Sequence, residues 1–149
     1  MKSLMAAIAL LLLSEAALCG SWSYIGGPYP HAAFIESTTI QDEGQDTKGF
    51  WVAMVTVDKA LPFDTVINYV QVDCRRRQIR ALQSDFYLQG KHKGGDVIPT
   101  LWQHTIPDSM GESYLLFACQ KYDPVNYTIP DTPVTELWKI APPLIESSK

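Results

Sequence analysis

A cysteine followed directly by three arginines is the segment of this sequence that most suggests chemistry. Cys74 precedes Arg75, Arg76 and Arg77, and Arg80 lies three residues further on, although the 149-residue chain has a formal net charge of -4. Neighbouring cations stabilise a thiolate, so this arrangement could make Cys74 a nucleophile. The alternative is a structural disulfide beside a solvated turn.

The amino-terminal residues indicate the cellular compartment of the protein, which decides whether its cysteines are oxidised or reduced. An apolar run from Met5 to Leu13 precedes small residues, which is typical of a secretory signal peptide over residues 1–19. This run is too short to span a bilayer, and no second apolar run of membrane length follows. We expect cleavage after Cys19 and a mature chain that begins at Gly20. The alternative is lipidation of Cys19, although Leu18 departs from the small residue usual before a lipidated cysteine.

Two cysteines, Cys74 and Cys119, remain after the predicted signal peptide. A cysteine pair in an exported protein usually forms a disulfide. This bridge would close a loop of about 45 residues and contribute about 3–4 kcal/mol by restricting the unfolded chain. A reactive thiol needs a catalytic partner, and the three histidines form no recognisable Cys/His pattern. The sequence therefore favours the disulfide over a reactive Cys74.

Composition and motifs exclude several classes of function. No nucleophile elbow, zinc motif or phosphate-binding loop occurs, so we expect neither enzymatic activity nor a cofactor or metal. The mild acidity argues against a nucleic-acid partner, because such proteins usually present a basic face. About 130 residues follow the signal peptide, which suffices for one domain with a single core.

Segments rich in apolar and β-branched residues predict a sheet of about five to six strands. The predicted strands are Ser21–Gly27, Ala32–Ile40, Phe50–Asp58, Asn68–Cys74, Gln78–Gly90 and Thr100–Ile106. The run Phe50–Asp58 is apolar enough to be central, and a bulge is predicted near Gln83–Asp85. Residues 41–49 are predicted to form a polar turn, and residues 91–96 a glycine-rich loop.

One helix is predicted after the strands. Ser109 and Glu112 form a capping box, and Asp108 adds favourable charge near the helix start. Residues 122–149 contain five of the ten prolines, so we expect an extended and partly disordered tail in which 134–140 could form a short helical turn. The fold class is α+β, mostly β, with an antiparallel sheet and one disulfide-linked helix.

The order of short motifs resembles the bacterial surface-adhesin protein E domain family. The motifs are "WSYIG", "STTI", "FWVAMV", "VQVDC", "IRALQSDFYLQG", "LWQHTIPDS" and "SYLLFAC", and they span residues 22–119. The resemblance implies a six-stranded antiparallel sheet with a helix disulfide-bonded to it. It also implies a surface protein; the founding member is a lipoprotein that binds host proteins such as vitronectin, laminin and plasminogen. We accordingly expect a signal peptide (1–19), an adhesin-like domain (20–121) and a proline-rich tail (122–149).

Two basic segments are the candidate binding residues. Arg75, Arg76 and Arg77 are predicted at a hairpin tip, and Lys91, His92 and Lys93 in a loop after the next strand. Such residues could bind an acidic protein segment or a polyanion, or they could simply form solvated turns. The two segments should lie at opposite ends of the intervening strand. The predicted function is an exported, non-enzymatic binding module for an extracellular or envelope partner. The alternatives are a structural envelope protein without a host ligand and an enzyme with an unrecognised site.

Arg80 is predicted on a strand, where Asp73 or Asp85 could be its ion-pair partner. The tryptophans at 22, 51 and 102 are predicted core or sheet-face aromatics, whereas Trp138 is the stronger candidate for an exposed contact.

Overall fold

A computed structural model describes residues 19–97, 99–120 and 128–148 of the chain. The described residues form nine strands and two α-helices. The strands are β1 (Cys19–Gly26), β2 (His31–Glu36), β3 (Gln41–Gly44), β4 (Thr47–Thr56), β5 (Thr65–Asp73), β6 (Gln78–Leu88), β7 (Lys91–Asp96), β8 (Gln103–His104) and β9 (Thr128–Pro133). The helices are α1 (Met110–Gln120) and α2 (Leu137–Glu146), and short 3₁₀ turns lie at Ser37–Thr39 and Val134–Glu136.

All nine strands join one antiparallel sheet. Its main order is β7-β6-β5-β4-β2-β1-β9, with β3 paired to the start of β4 and β8 paired to the start of β6. The fold class is therefore confirmed as mostly β with antiparallel pairing. The strand count exceeds the predicted five or six, because β3, β7 and β9 arise from segments predicted to be a turn, a loop and a tail.

The central strand β4 explains the apolar run in the sequence. Phe50 and Val52 belong to a core cluster on one face of the sheet, together with Leu115 and Ala118 of α1. Ala53 on the opposite face joins a second cluster, which includes residues of α2. Because successive side chains of a strand point to opposite faces, burial of both faces requires a continuous apolar sequence.

Helix α1 begins as the capping box predicts. Ser109 Oγ accepts a hydrogen bond from the backbone N–H of Glu112 (3.3 Å), and the Glu112 carboxylate accepts one from the N–H of Asp108 (2.8 Å). At the other end, Cys119 forms the predicted disulfide with Cys74, directly after β5. The disulfide prediction is confirmed, and Cys74 is not a free thiol.

The carboxy-terminal segment is more ordered than the sequence suggested. β9 pairs with β1, so the segment extends the sheet at the edge opposite β7. The side chains of Leu137, Ala141 and Ile145 on α2 are fully buried, because their spacing of four residues places them on one helix face. The expectation of an extended tail holds for β9, and a helical turn within 134–140 was also expected. It is wrong for the full length of α2, since packing of this apolar face outweighs the low helix propensity of Pro142 and Pro143.

Contacts of the carboxy-terminal segment reach the β6–β7 turn. Gly90 has a φ of +75°, and a Cβ atom there would lie 2.6 Å from the backbone oxygen of Thr135. Both the backbone conformation and the close approach therefore require glycine at this turn.

Two further sequence expectations, for residues 91–96 and for the bulge in β6, differ from the structure. Residues 91–96 form the edge strand β7 rather than a loop, because backbone pairing with β6 holds them extended despite their glycines. The bulge in β6 lies at Leu82, one residue before the predicted range, where Gln83 and Ala81 pair with consecutive residues of β5. Residues 1–18 of the predicted signal peptide lie outside the described residues. Cys19, its last residue, begins β1.

Candidate functional site

The three consecutive arginines lie on the tight turn between β5 and β6. The Asp73 carboxylate accepts a hydrogen bond from the backbone N–H of Arg76 (2.7 Å), and Arg77 closes the turn with a φ of 54°. The backbone N–H of Cys74 donates to the oxygen of Asp46 (2.9 Å), which ties the turn to the β3–β4 hairpin. All three arginines are exposed, as expected for a hairpin tip.

The side chains of the turn diverge towards different faces of the sheet. Arg77 forms an ion pair with Glu112 of α1 (2.6 Å), so its side chain lies on the face of the sheet that α1 covers. Arg75 and Arg76 line a depression on the opposite face. The sequence placed the three arginines in one candidate patch, but the structure brings only two of them together.

We call this depression the arginine groove. It has a volume of about 940 Å³, and it lies between the β5–β6 turn, the β3–β4 hairpin and the segment that precedes α1. Its lining residues are Glu43, Gly44, Gln45, Asp46, Thr47, Gln71, Asp73, Arg75, Arg76, Arg80 and Trp102. Three guanidinium groups therefore share the groove with three carboxylates.

Arg80 is the most firmly oriented cation of the arginine groove. Its Nε donates to Gln71 Oε1 (2.6 Å), and its guanidinium carbon lies 4.5 Å from the centre of the Trp102 ring. Stacking on an indole orients a guanidinium while leaving donors available for a ligand. The predicted pairing of Arg80 with Asp73 or Asp85 is wrong, because Gln71 is its direct neighbour across the strand pair.

Glu43 is held in place by neighbouring side chains. It accepts hydrogen bonds from the Tyr69 hydroxyl (2.5 Å) and from the Gln71 side-chain amide. Burial of the phenol, together with the hydrogen bond and charge of Glu43, raises the pKa of Tyr69 to about 12. This hydrogen-bonded carboxylate is therefore oriented towards the sheet, while Arg75 and Arg76 extend from the rim.

The second candidate segment lies at the far end of β6. Lys91, His92 and Lys93 are exposed on the edge strand β7, and His92 Nε2 lies 2.9 Å from Asp85 Oδ1. The 11 residues of β6 span roughly 35 Å at about 3.3 Å per residue. The two basic segments therefore form separate surfaces, as the strand order predicted.

Trp102 is one of several groove residues that the sequence did not identify as candidates for binding. The sequence predicts a core or sheet-face aromatic at this position, but the Trp102 ring is half-buried against Arg80. The sequence predicts Thr100–Ile106 to be a strand, but only Gln103–His104 pairs with β6, and nothing in the local sequence links Trp102 to Arg80. Trp138, predicted to be an exposed contact, instead packs partly buried against the core cluster on the α2 face.

Residues 22–120 match the family described as surface-adhesin protein E. The chain belongs to the surface-adhesin protein E family. This match covers most of the residues that build the sheet and α1, and it ends before β9 and α2. Comparison with curated protein sequences gives no significant match.

Solved structures of protein E from Haemophilus influenzae are similar to this chain. Crystal form II has a TM-score of 0.49 at 14% identity and covers 73% of this chain and 91% of its own. A second structure of the same protein has a TM-score of 0.48 at 13% identity and covers 76% and 92%. Protein E from a non-typeable strain has a TM-score of 0.43 at 13% identity and covers 93% of each chain.

Neither a membrane helix nor a metal site is found in the part of the chain that the structure describes. No helix there is long and apolar enough to cross a bilayer. No group of three or more His, Cys, Asp or Glu side chains in the same ranges could hold a metal ion.

Proposed function

We propose that this member of the surface-adhesin protein E family is an exported binding protein without catalytic activity, and that the arginine groove binds an acidic segment of a partner protein. Family membership supports a surface-adhesin-like role, and the predicted signal peptide supports export. The observation that carries the proposal is the convergence of Arg75, Arg76 and Arg80 on one depression beside Trp102.

The chemistry of the groove favours carboxylates as ligands. A guanidinium group binds a carboxylate through two parallel hydrogen bonds, and charge-assisted bonds are stronger than neutral ones. Arg75 and Arg76 present exposed side chains, and Arg76 has only a loose contact with Asp73 (3.9 Å). Both guanidinium groups can therefore rearrange to meet a ligand at little cost.

The charge balance of the groove favours an acidic protein segment over a long polyanion. The three arginines are matched by Glu43, Asp46 and Asp73 in the same lining. A polyanion such as a heparin-like glycan would meet these carboxylates along its length and be repelled by them. A protein segment with one or two well-placed carboxylates can pair with the arginines and avoid the opposite wall.

A paired charge removal tests the proposal. The probe is a glutamate-containing peptide, with heparin as the second ligand, and binding to the secreted protein is measured with a biosensor at several salt concentrations. Arg75→Ser with Arg76→Ser removes two cations from the groove, whereas Lys91→Ser with Lys93→Ser removes two from the far end of β6. Each lost charge-assisted hydrogen bond is worth about 1.5–3 kcal/mol, so peptide affinity should fall at least tenfold in the groove variant.

The control variant should bind the peptide within about twofold of the parent. Equal losses in both variants would show that only net charge matters, which contradicts a specific groove. Failure of the peptide and of envelope and extracellular proteins to bind would favour the alternative, a structural envelope protein. Tighter binding of heparin than of the peptide would move the ligand class to polyanions.

A further inference from the structure

A second depression lies on the same face of the sheet as the arginine groove. We call it the aromatic pocket; its volume is about 530 Å³, within the range of small-ligand sites. Its lining residues are Gly20, Trp22, Glu36, Thr38, Thr39, Trp51, Ile67, Gln83, Asp85, Tyr87 and Val134. Three aromatic rings and two carboxylates thus line a cavity beside the start of the carboxy-terminal helical segment.

The aromatic pocket is distinct from the arginine groove. Ile67 of β5 lines the pocket and Gln71 of β5 lines the groove. These residues are four apart on one strand, so they share a face and are separated by Tyr69. The Tyr69 ring contacts Trp51 (centroids 5.1 Å apart), and its hydroxyl donates a hydrogen bond to Glu43. Tyr69 therefore forms a ridge between the two depressions.

Glu36 is the unusual residue of the pocket. The residue is only 4% exposed, which is rare for a glutamate. Its Oε1 accepts hydrogen bonds from the N–H of Ser21 (2.9 Å) and from the N–H and hydroxyl of Thr38 (3.3 and 2.6 Å). Its Oε2 is buried and has no hydrogen-bond partner. Buried polar atoms are normally paired, so this lining residue has a carboxylate oxygen whose charge no described donor balances.

Hydrogen bonding keeps both carboxylates of the pocket ionised. Burial alone raises the pKa of Glu36, but the hydrogen bonds led by Thr38 lower it below its usual value. The hydrogen bond from His92 lowers the pKa of Asp85, assisted by the side chain of Gln83. At neutral pH the wall therefore carries two negative charges.

The remaining lining residues are complementary to a cation. All of them lie in the described part of the chain, and none is lysine, arginine or histidine. Trp51 and Tyr87 are half-buried and present ring surface to the cavity, while the Trp22 indole is fixed by its bond to the oxygen of Thr132 (3.2 Å). Aromatic faces beside a carboxylate attract organic cations, whose methylene groups also gain apolar contacts.

We propose that the aromatic pocket binds an organic ammonium group, supplied by a lysine side chain of a partner or by a small free amine. The ammonium group lies beside the Glu36 carboxylate, whose negative charge attracts it, and the attached carbon chain packs on Trp51, Ile67 and Tyr87. A metal ion fits less well, because both oxygens of Asp85 already accept hydrogen bonds from Gln83 and His92. The proposal does not depend on binding in the arginine groove.

The test compares an ammonium ligand with its neutral analogue. Nα-acetyl-lysine amide and Nα-acetyl-norleucine amide are titrated into the secreted protein while the indole N–H signals of Trp22 and Trp51 are followed by NMR. The lysine amide should shift both signals with a saturable curve, and the norleucine amide should bind at least tenfold more weakly. Equal binding of the two ligands, or no shift with either, overturns the proposal.

Matched variants assign the effect to the carboxylate. Glu36→Gln should weaken lysine amide binding at least tenfold, whereas Asp42→Asn, which removes an exposed carboxylate from β3, should leave it within twofold. If Glu36→Gln does not fold, Asp85→Asn provides the second test and should weaken binding at least threefold. Unchanged binding in the folded variants overturns the proposal.

The final arm separates the two sources of the ammonium group. A lysine-containing peptide that binds at least tenfold more tightly than the lysine amide assigns the pocket to a partner's side chain. Equal affinity assigns it to small amines. Repeating the titration with the Arg75→Ser, Arg76→Ser variant should give unchanged affinity, which distinguishes failure of this site from failure of the arginine groove.

Discussion

Replacing Leu137 with alanine tests whether the carboxy-terminal helix is part of the core. Leu137 is fully buried and belongs to the cluster that joins α2 to Trp22, Phe34 and Val55 of the sheet. Truncation of a fully buried leucine removes its transfer free energy and leaves a cavity, which costs about 3–5 kcal/mol. Equilibrium unfolding in urea should therefore move to a midpoint at least about 1 M lower, given a slope of about 1–3 kcal/mol per molar.

Leu101→Ala is the matched control for this change. Leu101 is 85% exposed, so the same deletion should alter the free energy of unfolding by less than about 0.5 kcal/mol. The reasoning is refuted if Leu137→Ala and Leu101→Ala unfold at the same urea concentration. Such a result would mean that residues 137–146 do not pack on the sheet.

Three further predictions concern the disulfide, a tyrosine and the amino terminus. The denatured, unreduced protein should show no free thiol, and replacing Cys74 and Cys119 by serine should lower the free energy of unfolding by about 3–4 kcal/mol; two labelled thiols would contradict this. Since the folded pKa of Tyr69 is raised to about 12 from 10.0, its contribution to stability is present below pH 10 and is lost as the pH rises towards 12. Absorbance titration should show that Tyr69 ionises at a pH of about 12. Glu43→Gln should lower the pH at which Tyr69 ionises, and an unchanged titration in this variant would exclude the Tyr69–Glu43 hydrogen bond. Mass spectrometry of the exported protein should show a start at Gly20 without lipid; a diacylglyceryl group on Cys19 would restore the lipoprotein alternative.

Local sequence determined the elements whose signals need no distant partner. The capping residues Ser109 and Glu112 act within one helical turn, so their pattern placed the start of α1 correctly. The apolar run Phe50–Asp58 identified the central strand, because a strand that is buried on both faces needs apolar residues at successive positions. The disulfide also followed from the sequence, since only Cys74 and Cys119 remain after the predicted signal peptide and have one bridge available to them.

Tertiary structure decided the features that depend on distant residues. The segment 91–96 looks like a loop by composition, yet it is a strand because β6 offers it backbone hydrogen bonds. The carboxy-terminal prolines led to the prediction of an extended tail and not of α2. The stability of α2 comes from the fully buried Leu137 and Ile145 rather than from helix propensity.

The candidate site shows the same division. The sequence identified Arg75, Arg76 and Arg77 as exposed, because such a charged run is most stable in water. Only the fold directs Arg77 to Glu112 on one face and brings Arg80 and Trp102 to the other two arginines. These side chains meet because antiparallel pairing places Arg80 opposite Gln71, which accepts a hydrogen bond from it. Strand pairing of this kind cannot be read from the spacing of residues along the chain.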